Sequence, residues 1–180
     1  YTRYYATNRK HIGSDRWHPD AYGTKFSDDG MENLRFGVVR VTAAQNKIKA
    51  CLNADVASCG TGDGVELAQY LSECAQSAKI DAYEEEIGSH IAEAAQKRVK
   101  LGSQALFADV QAAMENSSDV LIYIHGFNVS WHEAVGADLA MQLMLQNAPG
   151  KAADQDLRVI LVTWPSAGME LPWVSYKSDR

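Results

Sequence analysis

"VLIYIHGFNVSWHEAV", residues 120–135, is the stretch whose reading decides the fold. Five apolar residues run into His125-Gly126-Phe127-Asn128, and Ser130 with Glu133 three positions later is a capping box that starts a helix. The helix expected over 130–147 has apolar residues nearly all round, among them Trp131, Val135, Leu139 and Leu143, so it should be well buried. Pro149-Gly150 ends it, and "LRVILVTW" from Leu157 reads as a second apolar strand followed by Pro165. Strand, helix and strand in that order form a βαβ unit, and the right-handed crossover rule makes the strands parallel. "DVLIYIH" is too uniformly apolar for a half-exposed strand and is expected at the centre of a sheet covered on both faces.

Working outward, "YTRYYATNRK" alternates aromatic and polar residues as a strand does, and "LRFGVVRVT" (34–42) is a second strand rich in β-branched and aromatic residues. Gly37 within it implies a bulge or a close backbone approach. Residues 11–33, rich in Gly, Asp, Ser and His, read as an irregular loop, and 43–62 carry no clear assignment. Val65, Ala68, Leu71, Ala75 and Ala78 repeat at helical spacing. A second helix is expected over 81–99, with Asp81 as its cap, an acidic start and a basic end that suit the helix dipole. Beyond Gly102, Leu106, Val110, Ala113 and Met114 mark a third.

One domain of 180 residues can bury a substantial core. An apolar content of 46% with 22% charged residues is ordinary for a globular chain. A net charge of −6 without a Lys/Arg stripe argues against nucleic acid as a partner. The longest apolar runs fall far short of the ~20 residues that span a bilayer. The chain opens on Tyr1 rather than Met, so its natural N-terminus is expected upstream, and the compartment stays open. Cys51, Cys59 and Cys74 fit neither a zinc ribbon nor a CxxC pair. They read as free thiols or as one disulfide, Cys51–Cys59 or Cys59–Cys74. No metal-ligand spacing and no cofactor motif is present, so neither a metal nor a cofactor is expected.

A strand-to-helix turn with glycine at its tip suits acyl-transfer chemistry. The tetrahedral intermediate carries a negative oxygen, which preorganised backbone N–H groups and a helix N-terminus stabilise. Gly126 lets the backbone come close to a substrate. His125 has a plainer reading as a hydrogen-bonded core histidine.

The segments "VLIYIHGFNVSWHEAV", "RVILVTWPSAG" and "YKSDR" resemble those of a large, mostly bacterial group of uncharacterised α/β-hydrolases, a domain of unknown function of esterase or lipase type. "YYATNRK" and "LRFGVVRVT" are similar to that group's first two strands. The likeness covers about half the residues and lapses over 43–105. It implies a three-layer α/β sandwich with a mostly parallel central sheet. The helices near 64–78 and 81–99 fall where the likeness lapses, and their amphipathic pattern reads as a helical insertion at about 60–100 that sits outside the main sheet, over the cleft as a lid. The likeness also implies an oxyanion hole at His125, Gly126, Phe127 and Asn128, with backbone N–H groups of Phe127 or Asn128 as donors. Trp164-Pro165-Ser166 would close the next strand beside the cleft, with Trp164 and Ser166 as substrate contacts.

The departure from the group is large. Its members carry the nucleophile serine in a G-x-S-x-G-like elbow on the strand after "SDR", with acid and histidine later still. The 180 residues contain no such elbow, so the chain reads as truncated before it, the N-terminal portion of one α/β-hydrolase domain. Ser130 is a helix cap, Ser166 has no identifiable base, Ser89 lies mid-helix, and His132 falls on a first helical turn. Two functions follow. One is a serine hydrolase acting on a small ester or acyl substrate, its nucleophile carried by a C-terminal half or a second chain that completes the fold. The other is a non-catalytic binding or structural module derived from the fold.

Overall fold

A computed structural model describes residues 1–56, 60–85, 100–114, 119–150 and 157–166. Along the chain run β1 (Thr2–Thr7), β2 (Arg9–Ile12), β3 (Ala21–Phe26), β4 (Arg35–Arg40) and α1 (Gln45–Leu52). The short pair β5 (Asp55–Val56) and β6 (Gly60–Thr61) follows, then α2 (Gly64–Ala75) and β7 (Lys79–Ala82). The last described elements are α3 (Gly102–Ala113), β8 (Asp119–Ile124), α4 (Trp131–Gln146) and β9 (Leu157–Thr163).

Five strands make one mixed sheet in the order β7-β4-β1-β9-β8. β9 pairs in parallel with both β1 and β8, whereas β4 runs antiparallel to β1 and to β7. The expected mostly parallel sheet therefore holds only for the β1–β9–β8 half. A return strand can follow β1 in antiparallel pairing without a crossover helix, and the chain uses that short route at β4.

Period-two alternation sorts the sheet residues between two helical layers. Tyr5, Val39 and Leu161 face α2 and α4, where they pack with Leu67, Leu71, Trp131, Val135 and Leu139. Ile160 and Tyr4 turn to the opposite face, against Leu106 and Val110 of α3. These are the three layers of an α/β-hydrolase-like sandwich. The helix after β8 behaves as its composition requires: Trp131, Ala134, Val135, Gly136, Asp138, Leu139, Ala140 and Gln142 are all buried. Its contact with α2 is close enough that a Cβ on Gly136 would sit 2.5 Å from the Ser72 backbone nitrogen. Gly37 shows the close approach its position implied, with the Tyr5 hydroxyl and the Asp81 carbonyl where a Cβ would stand.

Several expectations are corrected. β8 is the outer strand of the sheet among the described residues, not a central one. Ile122 and Ile124 are 60% and 62% exposed, and Val120 and Leu121 are exposed too. Both sides of this strand are apolar, as in a strand flanked by neighbours, yet only β9 lies beside it here. α2 is not a lid: Leu67 and Leu71 are fully buried in the main core. Asp81 does not cap a helix: it lies within the strand Lys79–Ala82, which pairs with Gly37–Arg40, and positions 86–99 of the expected second helix lie outside the described residues. The loop assigned to 11–33 contains β3, which pairs with β2 as a hairpin. Cys51 and Cys74 are free thiols, and Cys59 lies outside the described residues.

Candidate active site

The site forms where the parallel strands β8 and β9 end side by side. β8 passes directly into His125, and five residues later Ser130 caps α4. The capping box is complete: the Glu133 N–H donates to the Ser130 hydroxyl, and the Ser130 N–H donates to the Glu133 carboxylate at 2.7 Å. Between strand and cap the chain must reverse, and it does so through Asn128 at φ 63°, the one non-glycine residue in the left-handed region among those described. Asparagine tolerates that conformation better than most side chains, but holding it costs energy that the surroundings must supply. Gly126 makes the other special contribution. A Cβ built there would meet no atom within 4 Å, so the backbone at the tip of the turn borders open space.

What holds the turn is a buried polar knot. His125 is 3% exposed, and its Nδ1 lies 2.7 Å from the Gly126 carbonyl, which fixes Nδ1 as the protonated nitrogen. Nε2 then accepts from the Thr163 hydroxyl at 2.8 Å, the Trp164 N–H at 3.2 Å and the Arg9 guanidinium at 3.3 Å. A ring nitrogen facing a backbone N–H and a guanidinium has no room for its own proton, so His125 is a neutral acceptor here and not a general base. Trp164 returns the contact: its indole N–H donates to the His125 carbonyl, and the two rings stack 5.4 Å apart.

Arg9 ties the knot together. It follows β1, which pairs with β9 up to Thr7↔Thr163, so its side chain reaches under both strand ends. It is 1% exposed and donates to the Val129 carbonyl and Thr163 Oγ1 at 2.8 Å, the Gly23 carbonyl at 3.0 Å and the Ser166 carbonyl at 3.3 Å. Ser166 completes the frame, its hydroxyl accepting the Val129 N–H at 3.0 Å.

The expected site residues separate into two sets. Gly126, Phe127 and Asn128 lie at the surface of the turn, Phe127 exposed and Asn128 half-buried. His125 and Ser166 sit beneath, Ser166 with no exposed surface. Trp164 is half-buried between them. Sequence reading missed Arg9 and Thr163. Their only sequence signal was a polar residue at the end of an apolar strand, which does not say that the two strand ends meet.

The one serine hydroxyl shown donating to a carboxylate among the described residues is that of Ser27, 3.3 Å from Asp29. Ser130 serves its cap and Ser166 the frame; Ser89 lies outside the described residues. His18 is exposed and sits 2.9 Å from Asp15. No group of three or more His, Cys, Asp or Glu is placed to hold a metal ion among the described residues. No helix among them is long and apolar enough to cross a membrane. Beside the turn, a cavity of about 880 Å³ opens between α2 and the first turns of α4 and reaches Asn128, Val129 and Ser130.

Residues 103–180 match the family model described as an alpha/beta hydrolase of unknown function (DUF900). The match takes in β8, the turn, α4, β9 and Trp164-Pro165-Ser166, and so bears out the resemblance read from those segments. It does not reach β1 to β7. No curated protein and no solved structure matches the chain.

Proposed function

We propose that residues 1–180 are the oxyanion-stabilising part of a serine hydrolase that cleaves small carboxylic esters. One observation carries this reading. A strained turn at the N-terminus of a buried helix is held rigid from below by Arg9, His125, Thr163 and Ser166, while its tip at Gly126 borders open space. Donors that do not reorganise as charge develops are what oxyanion stabilisation needs. In the proposed reaction a serine hydroxyl attacks the ester carbonyl, its proton passing to a histidine carried with it and from there to the leaving alcohol, and the oxyanion is received by backbone N–H of Phe127 or Asn128. Collapse expels the alcohol, and water then releases the acyl group. Trp164 flanks the cleft, and Ser166 acts on it through Val129.

The nucleophile is assigned to a strand that adds beside β8, from a C-terminal half or a second chain. β8 supports this: from Val120 to Ile124 it is apolar on both faces, without a proline or a bulge, and its one charge, Asp119, stands at its first residue rather than along the edge.

The test is hydrolysis of p-nitrophenyl butyrate by the protein at its natural length and by residues 1–180 alone. The natural-length protein should turn over and the 1–180 chain should not. Gly126→Val should lower kcat by about 10²-fold, the cost of disturbing one oxyanion donor, with the melting temperature unchanged. Absence of turnover at natural length would favour the non-catalytic module. Robust turnover by 1–180 would show a nucleophile within it.

A further inference from the structure

The cavity beside the turn says something about what the substrate carries. It lies between two helices that share the main core, so its walls are fixed, and its volume is in the range of small-molecule sites. Val65, Ser72 and Glu73 of α2, His132 and Glu133 of α4 and Tyr123 of β8 are among the residues that line it, Glu73 being exposed. Because it meets the turn at Asn128–Ser130, a carbonyl held at the turn would direct one of its substituents into this space. Both charged groups in the lining are carboxylates, and no Lys or Arg lines it among the described residues. His132 makes no hydrogen bond to another described residue, and burial lowers its pKa from the ordinary value, so the ring is a neutral polar group at neutral pH. A carboxylate- or phosphate-bearing arm would find no partner there. An uncharged arm would meet neutral polar groups and an aromatic ring, and a cationic one two carboxylates and that same ring.

Resting on the reading of the turn as an oxyanion cradle, we infer that this cavity binds the acyl or alcohol arm of the ester and selects neutral or cationic arms against anionic ones, with Glu73 as a specificity-determining residue. Glu73 is exposed in the last turn of α2, away from the polar knot, so changing its charge does not touch the frame of the turn.

The test is binding, which needs no turnover. His132 ring signals, assigned by comparison with His132→Gln, are followed by NMR during titration of the full chain with three probes of similar size: acetylcholine (cationic), 3,3-dimethylbutyl acetate (neutral) and 4-acetoxybutanoate (anionic). The first two should move the His132 signals, and the anionic probe should bind at least about fivefold more weakly. Glu73→Lys should weaken the cationic probe and strengthen the anionic one. Equal or tighter binding of the anionic probe, an unchanged order in Glu73→Lys, or unmoved His132 signals with all three probes would overturn the inference. Failure of the hydrolase reading shows elsewhere, as missing turnover with the binding order intact.

Discussion

Replacing Arg9 with Met tests the polar knot, and its cost can be worked from the contacts. The substitution keeps most of the buried volume but removes every donor. Two carbonyls, of Val129 and Gly23, lose short charge-assisted bonds of 2.8 and 3.0 Å. Each such bond contributes about 1.5–3 kcal/mol. Thr163 and His125 keep each other at 2.8 Å and lose less. The bond figures are already net of desolvation, so the two bonds together come to about 3–6 kcal/mol, and the apolar methionine buried in the guanidinium's place offsets the upper part of that range. The net is a destabilisation of about 3 kcal/mol, or about 6–12 °C in melting temperature for a chain of this size. Urea and thermal unfolding followed by circular dichroism measure it directly. Arg9→Lys should recover only part, because an ammonium cannot reach five acceptors as a planar fork does. A melting temperature for Arg9→Met within a degree of the parent would refute the claim that this side chain holds the turn.

Other variants probe neighbouring parts of the account. Gly136→Ala pushes a methyl group against the Ser72 backbone, with 2.7 Å to its Cα, and should cost about 2 kcal/mol in urea unfolding. Gly126→Ala meets nothing within 4 Å and should stay within about 0.5 kcal/mol of the parent; equal losses in the two variants would contradict the geometry. Arg3→Met strands the Asp138 carboxylate, fully buried and ion-paired at 2.6 Å, and should cost about 3–5 kcal/mol. That deficit should shrink as pH falls and the carboxylate takes up a proton; a pH-independent deficit would count against a stranded charge. His132 has its pKa lowered by burial, with Glu133 opposing, so the unfolded chain binds this proton more readily. Its contribution to stability is present above pH 6.5 and lost as pH falls, and His132→Gln should flatten the stability profile there.

The parts of the fold legible in the sequence were those where one local pattern decides. The Ser130/Glu133 capping box, the apolar α4 and the β-branched run of β9 all stand where the residues put them. The rest depended on what lies beside a segment. The uniform apolarity of β8 signalled a strand but not its place: periodicity does not say which neighbours lie beside it, and among the described residues it is the outer strand with most of its side chains exposed. Ile80 and Tyr83 continue a helical spacing, but pairing with β4 outweighs that weak preference and makes Lys79–Ala82 a strand. Of the site, the turn itself was visible because glycine, asparagine and a cap must follow one another in sequence. Its support was not, because Arg9 lies more than a hundred residues before His125 and meets it only through the order of strands.

The central claim is that the turn receives an oxyanion from a nucleophile on a strand beside β8. The most direct measurement is a crystal structure of the natural-length protein after reaction with a fluorophosphonate. The account predicts an adduct on a serine outside residues 1–180, on a strand paired with β8, its phosphoryl oxygen about 2.7–3.1 Å from a backbone N–H of Phe127 or Asn128. An adduct on Ser130 or Ser166, or a phosphoryl oxygen held away from the turn, would contradict it.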